Sequence, residues 1–265
     1  MSRYLLIISI LIGVTSCKPL YYSETVAYNV EENHPEKVVR LDLSHQNLKE
    51  LPADFDKYSQ LKYLNISNNP DLDFDKIGNE LIRLKNLQAL QLDSNNLTDL
   101  PDWMSQLAAL KNLNLSYNPK LSFDSAFKQL KLLPKLQKLN LSNNRLVKLP
   151  KSIIELQQLK NLRLSFNQFN TANSFNNLCK LNKLKFLWLD HNEISVLPVS
   201  IGELTQISEL YLGNNQLKVI PETIKNCNKL RIFYLGDNEF KDLPEEILDM
   251  KIYLLAIYGN EISSI

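Results

Sequence analysis

Hydrophobic and polar residues follow a recurring order along the chain that fits neither an amphipathic helix nor an isolated strand. Residues 87–97, LQALQLDSNNL, show leucine at the first, fourth, sixth and eleventh positions and asparagine at the ninth. In an extended segment, positions four and six place apolar side chains on one face, while positions three, five and seven point the other way. Each copy of the pattern therefore predicts a short strand with one buried face.

The pattern occurs ten times, always with an aliphatic first residue and an amide at position nine. The copies begin at Val38, Leu61, Leu87, Leu110, Leu136, Leu159, Leu184, Ile207, Leu230 and Ile252. We predict that the amides form a structural asparagine ladder, namely Gln46, Asn69, Asn95, Asn118, Asn144, Asn167, Asn192, Asn215, Asn238 and Asn260. Because a buried amide both donates and accepts, each is expected to bond its own turn and the next coil.

These residues resemble the leucine-rich repeat family, from about Val38 to residue 265. The resemblance implies an α/β solenoid of horseshoe shape. It has a parallel concave β-sheet of about ten strands, with short helices, 3-10 turns and loops on the convex side.

The outer half of each copy has two forms. Several copies carry Leu-Pro or Ile-Pro, as in LPxxI-type repeats, and proline can open a short helical turn there. Other copies are longer, so that the spacing of the position-nine asparagines alternates between 26 and 23 residues as far as Asn167. After Asn167 we expect uniform short coils.

The amino-terminal segment resembles a bacterial lipoprotein signal. Residues 1–16 contain Arg3 and an apolar run of about half the length that spans a bilayer, which is typical of a signal peptide. Val14-Thr15-Ser16-Cys17 resembles a lipobox, which implies acylation of Cys17 and stable anchoring by two or more acyl chains. The alternative is an ordinary signal peptide in which Cys17 lies near the cleavage point by chance.

The remaining boundaries follow from this assignment. Residues 17–22 are predicted to be a tether, residues 23–37 an N-terminal capping helix and residues 38–265 the ten repeats, with no C-terminal cap. We expect a bacterial envelope protein, lipid-anchored in the outer membrane, with its periplasmic or surface orientation left open. The open edge of the last strand is expected to pair with a second copy or with a partner.

Composition and charge exclude several functions. Lys and Arg number 30 against 29 Asp and Glu, so the basic excess expected of a nucleic-acid-binding protein is absent. The three histidines have no metal-ligand spacing. Cys179 and Cys227 are too far apart in the repeat scheme for a disulfide and are predicted to be small buried apolar residues. We therefore predict no enzyme, no cofactor and no metal site.

Outward-facing positions of the concave sheet are the candidate binding surface. Position five carries mostly amides in the first half of the chain and aromatic residues in the second. The candidate partner-binding residues are Arg163, Phe166, Phe186, Trp188, Asp190, Glu209, Tyr211, Ile232, Tyr234 and Tyr258. Aromatic anchors beside polar groups are typical of a protein-binding hot spot.

Two functions fit this surface. The first is a membrane-anchored scaffold that binds a protein partner through its concave face. The alternative is a glycan-binding surface lipoprotein in which Trp188, Tyr211 and Tyr234 stack on sugar rings. Aromatic rows can also serve only to stabilise a sheet, and a purely structural surface protein is a further alternative.

Overall fold

The computed structural model describes residues 34–170 and 172–262, without the side chains of residues 172–174. The predicted signal peptide, Cys17 and the tether lie outside the described residues. Of the predicted capping segment, only residues 34–37 are described, and Pro35–Lys37 form one 3-10 turn. Within the described ranges, no helix has the length and apolar character needed to cross a bilayer.

Ten strands form one parallel sheet in which the spatial order is the order of the chain. Each strand comprises positions three to five of one sequence copy, which confirms the solenoid. The strands are β1 (Arg40–Asp42), β2 (Tyr63–Asn65), β3 (Ala89–Gln91), β4 (Asn112–Asn114), β5 (Lys138–Asn140), β6 (Asn161–Arg163), β7 (Phe186–Trp188), β8 (Glu209–Tyr211), β9 (Ile232–Tyr234) and β10 (Leu254–Ala256).

Pairing joins equivalent positions of neighbouring coils. Arg163 on β6 pairs with Trp188 on β7, which pairs with Tyr211 on β8. Side chains at one position therefore form continuous rows across the sheet, spaced by about 4.8 Å. The leucines of positions four and six lie behind the sheet, where most are fully buried, as Leu187 and Leu189 show. Leu255 of β10 is only half-buried.

The convex side carries the two predicted forms of outer segment. Short 3-10 helices lie at Phe55–Lys57, Asp102–Gln106, Lys151–Glu155, Val199–Glu203, Glu222–Asn226 and Glu245–Ile247. The last five begin directly after the proline of the Leu-Pro or Ile-Pro dipeptide, because proline has a backbone suited to a helix start and needs no N–H partner. The longer coils form α1 (Gly78–Leu81), α2 (Phe123–Leu130) and α3 (Ala172–Leu178).

The expectation of uniform short coils after Asn167 is wrong. α3 lies in the coil between Asn167 and Asn192, which spans 25 residues. The added residues complete α-helical turns and bury Phe175 against Phe169, with ring centroids 5.2 Å apart. The alternation of α-helical and 3-10 coils thus includes one more α-helical coil than we predicted. The uniform 3-10 coils begin after Asn192.

The position-nine asparagines are buried from Asn69 to Asn238, and Asn260 is half-buried. Asn118 donates from Nδ2 to the carbonyl oxygens of Leu92, Leu115 and Ser116, each at 3.1 Å. Its Oδ1 accepts from the N–H groups of Asn95 (3.1 Å) and Leu97 (3.0 Å). These partners belong to its own turn and to the preceding coil, whereas we expected the next coil.

Gln46 differs from the other members of the proposed ladder. Its side chain is exposed, and only its backbone N–H is joined to the ladder, donating to Asn69 Oδ1 at 3.2 Å. The first copy has no described coil before it whose carbonyl groups need an amide donor. The ladder of buried side chains therefore begins at Asn69.

The two described cysteines are free and buried, as the sequence predicted. Burial raises the pKa of the Cys179 thiol to about 11 and that of Cys227 to about 12. Both are therefore thiols at neutral pH and not activated nucleophiles.

Candidate functional site

Three aromatic rings at position five stack on one another across β7, β8 and β9. We call Trp188, Tyr211 and Tyr234 the aromatic column. Ring centroids are 5.4 Å apart between Trp188 and Tyr211 and 5.0 Å between Tyr211 and Tyr234, with interplanar angles of 9° and 19°. The in-register parallel pairing places the side chains at strand spacing, which is close to the distance of stacked rings.

Arg163 extends the column on the β6 side. Its guanidinium lies 4.4 Å from the centroid of the Trp188 ring, in cation–π contact. Phe186, two residues before Trp188 on β7, lies 6.1 Å from it at an interplanar angle of 18°. Position-three and position-five residues thus join into one half-buried aromatic patch.

Stacking determines what the column presents to solvent. One face of Trp188 is covered by Arg163 and the other by Tyr211, and Tyr211 is covered by its neighbours on both sides. The ring edges and polar tips are therefore the parts of the column that are accessible to another molecule. Aromatic edges carry the positive part of the ring quadrupole, so this surface suits acceptor groups and other ring faces.

Two carboxylates accompany the aromatic residues. Glu209 Oε2 accepts the hydroxyl of Tyr211 at 3.0 Å. Asp190 lies at position seven of the β7 coil, where its Oδ1 accepts the Ser165 hydroxyl at 2.7 Å. Burial raises the pKa of Asp190, although the Ser165 hydrogen bond and the nearby Arg163 charge act in the opposite direction. The patch therefore contains a carboxylate that is costly to keep ionised.

A second stacked pair lies at the carboxyl ends of β6 and β7. The rings of Phe166 and His191 are 4.1 Å apart and 11° from parallel, and both side chains are exposed. Both residues occupy position eight, where φ is 56° for Phe166 and 53° for His191. Asparagine and glycine tolerate this left-handed conformation, whereas a bulky ring there is a strained choice that often marks a functional surface.

His191 is the residue that the sequence analysis missed. In the sequence it is one of three histidines without metal-ligand spacing, whereas in the structure its ring stacks on Phe166 beyond the carboxyl end of β7. The signal was available in the alignment of the copies. Six copies carry Asn, Asp, Ser or Gly at position eight, and of the four with a ring there (His45, Tyr117, Phe166 and His191) only Phe166 and His191 lie in adjacent copies.

The remaining predicted residues lie around the column. Ile232 follows Glu209 in the position-three row and is half-buried. Tyr258 packs over Gly236, where any side chain would overlap its ring. The structure thus brings Arg163, Phe186, Trp188, Glu209, Tyr211, Ile232 and Tyr234 onto adjoining sheet positions, with Phe166, Asp190 and Tyr258 at the carboxyl-terminal edge of the sheet.

In the part of the chain that the structure describes, no group of three His, Cys, Asp or Glu side chains is placed to hold a metal ion. The concave patch has donors, acceptors and apolar edges, which are the groups that bind a macromolecule. The fold is a parallel solenoid whose concave sheet carries a half-buried aromatic patch.

Comparison with known proteins identifies the solenoid. Two models described as leucine-rich repeat match, one at residues 74–119 and 182–240 and the other at residues 135–156. The chain belongs to the leucine-rich repeat family, whose members are generally protein–protein interaction scaffolds and typically not enzymes. No curated protein sequence matched the chain.

Three solved structures illustrate the likeness. A leucine-rich repeat protein of Leptospira interrogans is 31% identical, with a TM-score of 0.75; the match covers 91% of this chain and 66% of that one. An internalin from Listeria monocytogenes is 24% identical (TM-score 0.67; 87% and 70% covered) and shows the fold alone. The ectodomain of the Arabidopsis thaliana receptor kinase GASSHO1/SCHENGEN3, in complex with CASPARIAN STRIP INTEGRITY FACTOR 2, is 27% identical (TM-score 0.59; 80% and 29% covered).

Proposed function

We propose that this protein is a membrane-anchored scaffold that binds a protein partner through its concave face, with the aromatic column as the anchor. The observation that carries the proposal is the continuous stack from Arg163 through Trp188 and Tyr211 to Tyr234. Trp, Tyr and Arg are the residue types that dominate binding hot spots. A rigid stack also binds with little loss of side-chain entropy, because its rotamers are already restricted.

Ring orientation distinguishes the two functions that fit the composition. A sugar stacks on an open ring face, and both faces of Trp188 and of Tyr211 are covered by their neighbours. Tyr234 has Tyr211 on one side in its row and Ala256 of β10 on the other. A polypeptide can use ring edges, the Trp188 N–H and the polar groups beside them. The geometry therefore supports a protein partner over a glycan. The plant ectodomain, which is similar in fold and carries a bound factor, gives further support.

Photocrosslinking tests the proposal. A photoreactive residue is placed at Asn161, beside Phe186 in the position-three row, and the chain is crosslinked in envelope extract. Trp188→Ala should abolish the crosslinked protein while the chain stays folded. The matched control is Tyr63→Ala, which removes another concave aromatic in cation–π contact, with Arg40 at 4.6 Å. Loss of the same crosslink in both variants would contradict recognition by the column, as would its persistence in Trp188→Ala.

Membrane attachment is the second part of the proposal and rests on the lipobox-like sequence before Cys17. Acylation at Cys17 would hold the protein in the cell envelope, with the outer membrane as the expected location. Incorporation of labelled palmitate should occur in the parent chain and be lost in Cys17→Ala. Labelling that persists in Cys17→Ala would exclude this site of attachment.

Self-association through β10 is the third part. Leu255 occupies a position that is buried in every other described strand, but it is half-buried here. A second copy packed against β10 would cover it. Sedimentation should then show a mass that rises with protein concentration, and Leu255→Lys should remove the rise; a constant monomer mass would exclude it.

A further inference from the structure

The amino-terminal edge of the sheet carries an excess of positive charge that the whole-chain balance hides. We define the basic rim as the five residues from two before each repeat start to position three. It contains thirteen cationic and two acidic side chains, Glu36 and Glu209. The cations are Lys37, Arg40, Lys62, Lys85, Lys111, Lys135, Lys138, Lys160, Lys183, Lys185, Lys229, Arg231 and Lys251. The rest of the sequence has seventeen cations and twenty-seven acids.

Backbone hydrogen bonds align the centre of this rim. In each coil after the first, the position-two N–H donates to the position-two carbonyl oxygen of the coil before. Lys111 donates to Gln88 at 2.8 Å, Lys160 to Gln137 at 2.8 Å and Lys185 to Lys160 at 2.8 Å. The row continues without interruption from Val39 to Tyr253. Nine strand spacings make it roughly 43 Å long.

Four of the rim lysines donate to neutral side chains. The ammonium groups of Lys111, Lys160 and Lys183 donate to the side-chain oxygens of Gln88 (2.9 Å), Gln137 (3.1 Å) and Gln158 (2.9 Å). Lys229 donates to Gln206 in the same way. Each glutamine lies one coil earlier, at position two for Gln88 and Gln137 and one residue before the repeat start for Gln158 and Gln206. A glutamine positions the ammonium group without cancelling its charge.

Lysines elsewhere have the opposite arrangement. Six lysines of the described residues form ion pairs with carboxylates, and all lie outside the basic rim: Lys57, Lys76, Lys131, Lys180, Lys218 and Lys225. Because the rest of the sequence has more acids than cations and pairs these six lysines, the excess of positive charge is a local property of one edge.

Both ends of the position-two row carry exposed apolar or aromatic side chains. Tyr253 is 84% exposed and Val39 is 42% exposed. Arg231 lies 5.5 Å from the centroid of the Tyr253 ring. Lysines along a line, flanked by an exposed tyrosine, match a surface that meets the headgroup layer of a bilayer. An uninterrupted row that spans ten coils suits an extended anionic surface.

We propose that the basic rim binds the anionic headgroups of a phospholipid membrane and so lays the solenoid on the bilayer along the amino-terminal edge of the sheet. The chain before β1 joins the described fold at this same edge, at Pro35–Lys37. The proposed lipid attachment therefore belongs to the segment that enters the fold beside the rim. Only this last argument depends on the proposed function, and the concave face stays open to its partner.

Vesicle flotation tests the rim independently of acylation. Every chain carries Cys17→Ala, and vesicles contain either phosphatidylcholine alone or phosphatidylcholine with phosphatidylglycerol. Binding to the vesicles of phosphatidylcholine alone measures any contribution of the apolar residues 5–14. The rim variant has Lys111, Lys160, Lys183 and Lys229 replaced by Gln. The control variant has Lys76, Lys180, Lys218 and Lys225 replaced by Gln, which changes the formal net charge equally.

The parent chain should bind anionic vesicles more tightly than neutral ones and be released as salt is raised. Each lysine near an anionic surface changes the partition coefficient about fivefold, so the rim variant should lose several hundredfold. The control variant should stay within about threefold of the parent, because its lysines lie off the rim, where screening limits their effect. Failure of acylation at Cys17 would not alter this result.

Three outcomes would overturn the proposal. The first is equal binding of the parent chain to anionic and neutral vesicles. The second is an equal loss in the rim and control variants, which would show that only net charge matters. The third is binding of soluble polyglutamate without binding of anionic vesicles, which would assign the rim to an acidic polypeptide.

Discussion

In the amino-terminal half of the concave sheet, the polar side chains at position five bond within the protein, whereas in the carboxyl-terminal half position five presents stacked rings. Asn114 Oδ1 accepts both the N–H (3.1 Å) and the hydroxyl (2.8 Å) of Ser116, and its Nδ2 donates to Asp93 at 2.8 Å. Asn140 accepts the N–H of Ser142 at 3.0 Å. These position-five side chains thus form hydrogen bonds with groups just beyond the end of their own or the neighbouring strand.

The carboxyl-terminal half cannot use position five in this way. Position seven is serine in five of the first six coils, with Asp93 as the exception, and becomes Asp190, Gly213 and Gly236 in the coils of the aromatic column. The asparagine ladder then supplies the side-chain hydrogen bonds to the backbone after each strand, and position five can carry rings. One backbone geometry thus supports hydrogen-bonded polar side chains at position five in one half and stacked rings in the other.

The largest expected effect tests whether the asparagine ladder stabilises the two halves equally. Asn118→Ala and Asn215→Ala each remove a buried amide that bonds three carbonyl oxygens. Each should lower the free energy of unfolding by about 3 kcal/mol, because buried backbone groups lose their partners. Urea denaturation followed by circular dichroism measures both. A difference above about 2 kcal/mol would show that the halves differ inside as well as on the surface.

The next effect concerns the column itself. Tyr211→Ala removes two ring stacks and should lower the free energy of unfolding by about 1–3 kcal/mol. Tyr211→Phe keeps both stacks and loses the hydroxyl bond to Glu209, so it should cost less than about 1 kcal/mol. Thermal denaturation distinguishes them. Equal destabilisation by the two variants would assign the stabilisation to the hydroxyl group.

The two halves should also respond oppositely to pH. Burial tends to raise the pKa of Asp42, but hydrogen bonds from Ser44 and Asn65 outweigh it and lower the pKa. The pKa of Asp190 is raised, chiefly by burial. Asp42 therefore stabilises the fold above its ordinary pKa of 3.8, and this contribution is lost as pH falls through its lowered pKa. Asp190 destabilises the fold above its raised pKa, and this penalty disappears as pH falls below 3.8.

Neutral variants measure these contributions. At pH 7 Asp42→Asn should lower the free energy of unfolding and Asp190→Asn should raise it, and both differences should shrink below pH 3.8. Carboxyl carbon NMR titration checks the directions directly. Shifts of the same sign for Asp42 and Asp190 would refute the electrostatic contrast between the halves.

The smallest effect lies at the left-handed turn of position eight. Phe166→Asn loses the stack on His191 but relieves a strained backbone, so the net change should be within about 0.5 kcal/mol. Asn143→Phe places a ring at the same position, with φ of 59°, in the amide half and should cost about 1 kcal/mol. Denaturation curves of the two variants test this. A large decrease in the free energy of unfolding of Phe166→Asn would show that Phe166 serves to stabilise the fold.

Much of the fold was predictable because a solenoid is a local structure. Each coil contacts only its neighbours, so the spacing of leucines and asparagines specifies both the strand and its partner. The strand positions, the register of the aromatic rows and the burial of both cysteines therefore follow from the sequence. The helix α3 did not, because the outer segment between Asn167 and Asn192 tolerates different lengths and its spacing alone does not choose between 3-10 and α turns.

The sequence by itself determined which side chains share a row: Trp188, Tyr211 and Tyr234 at position five, and the lysines and glutamines of the basic rim. Tertiary structure decided how the members of a row meet. Only the packed coils show that the rings cover each other's faces, that Asn118 bonds the preceding coil and that Gln137 holds Lys160. The physical reason is that repeat spacing fixes backbone positions, whereas side-chain orientation depends on the neighbouring coil against which each group packs.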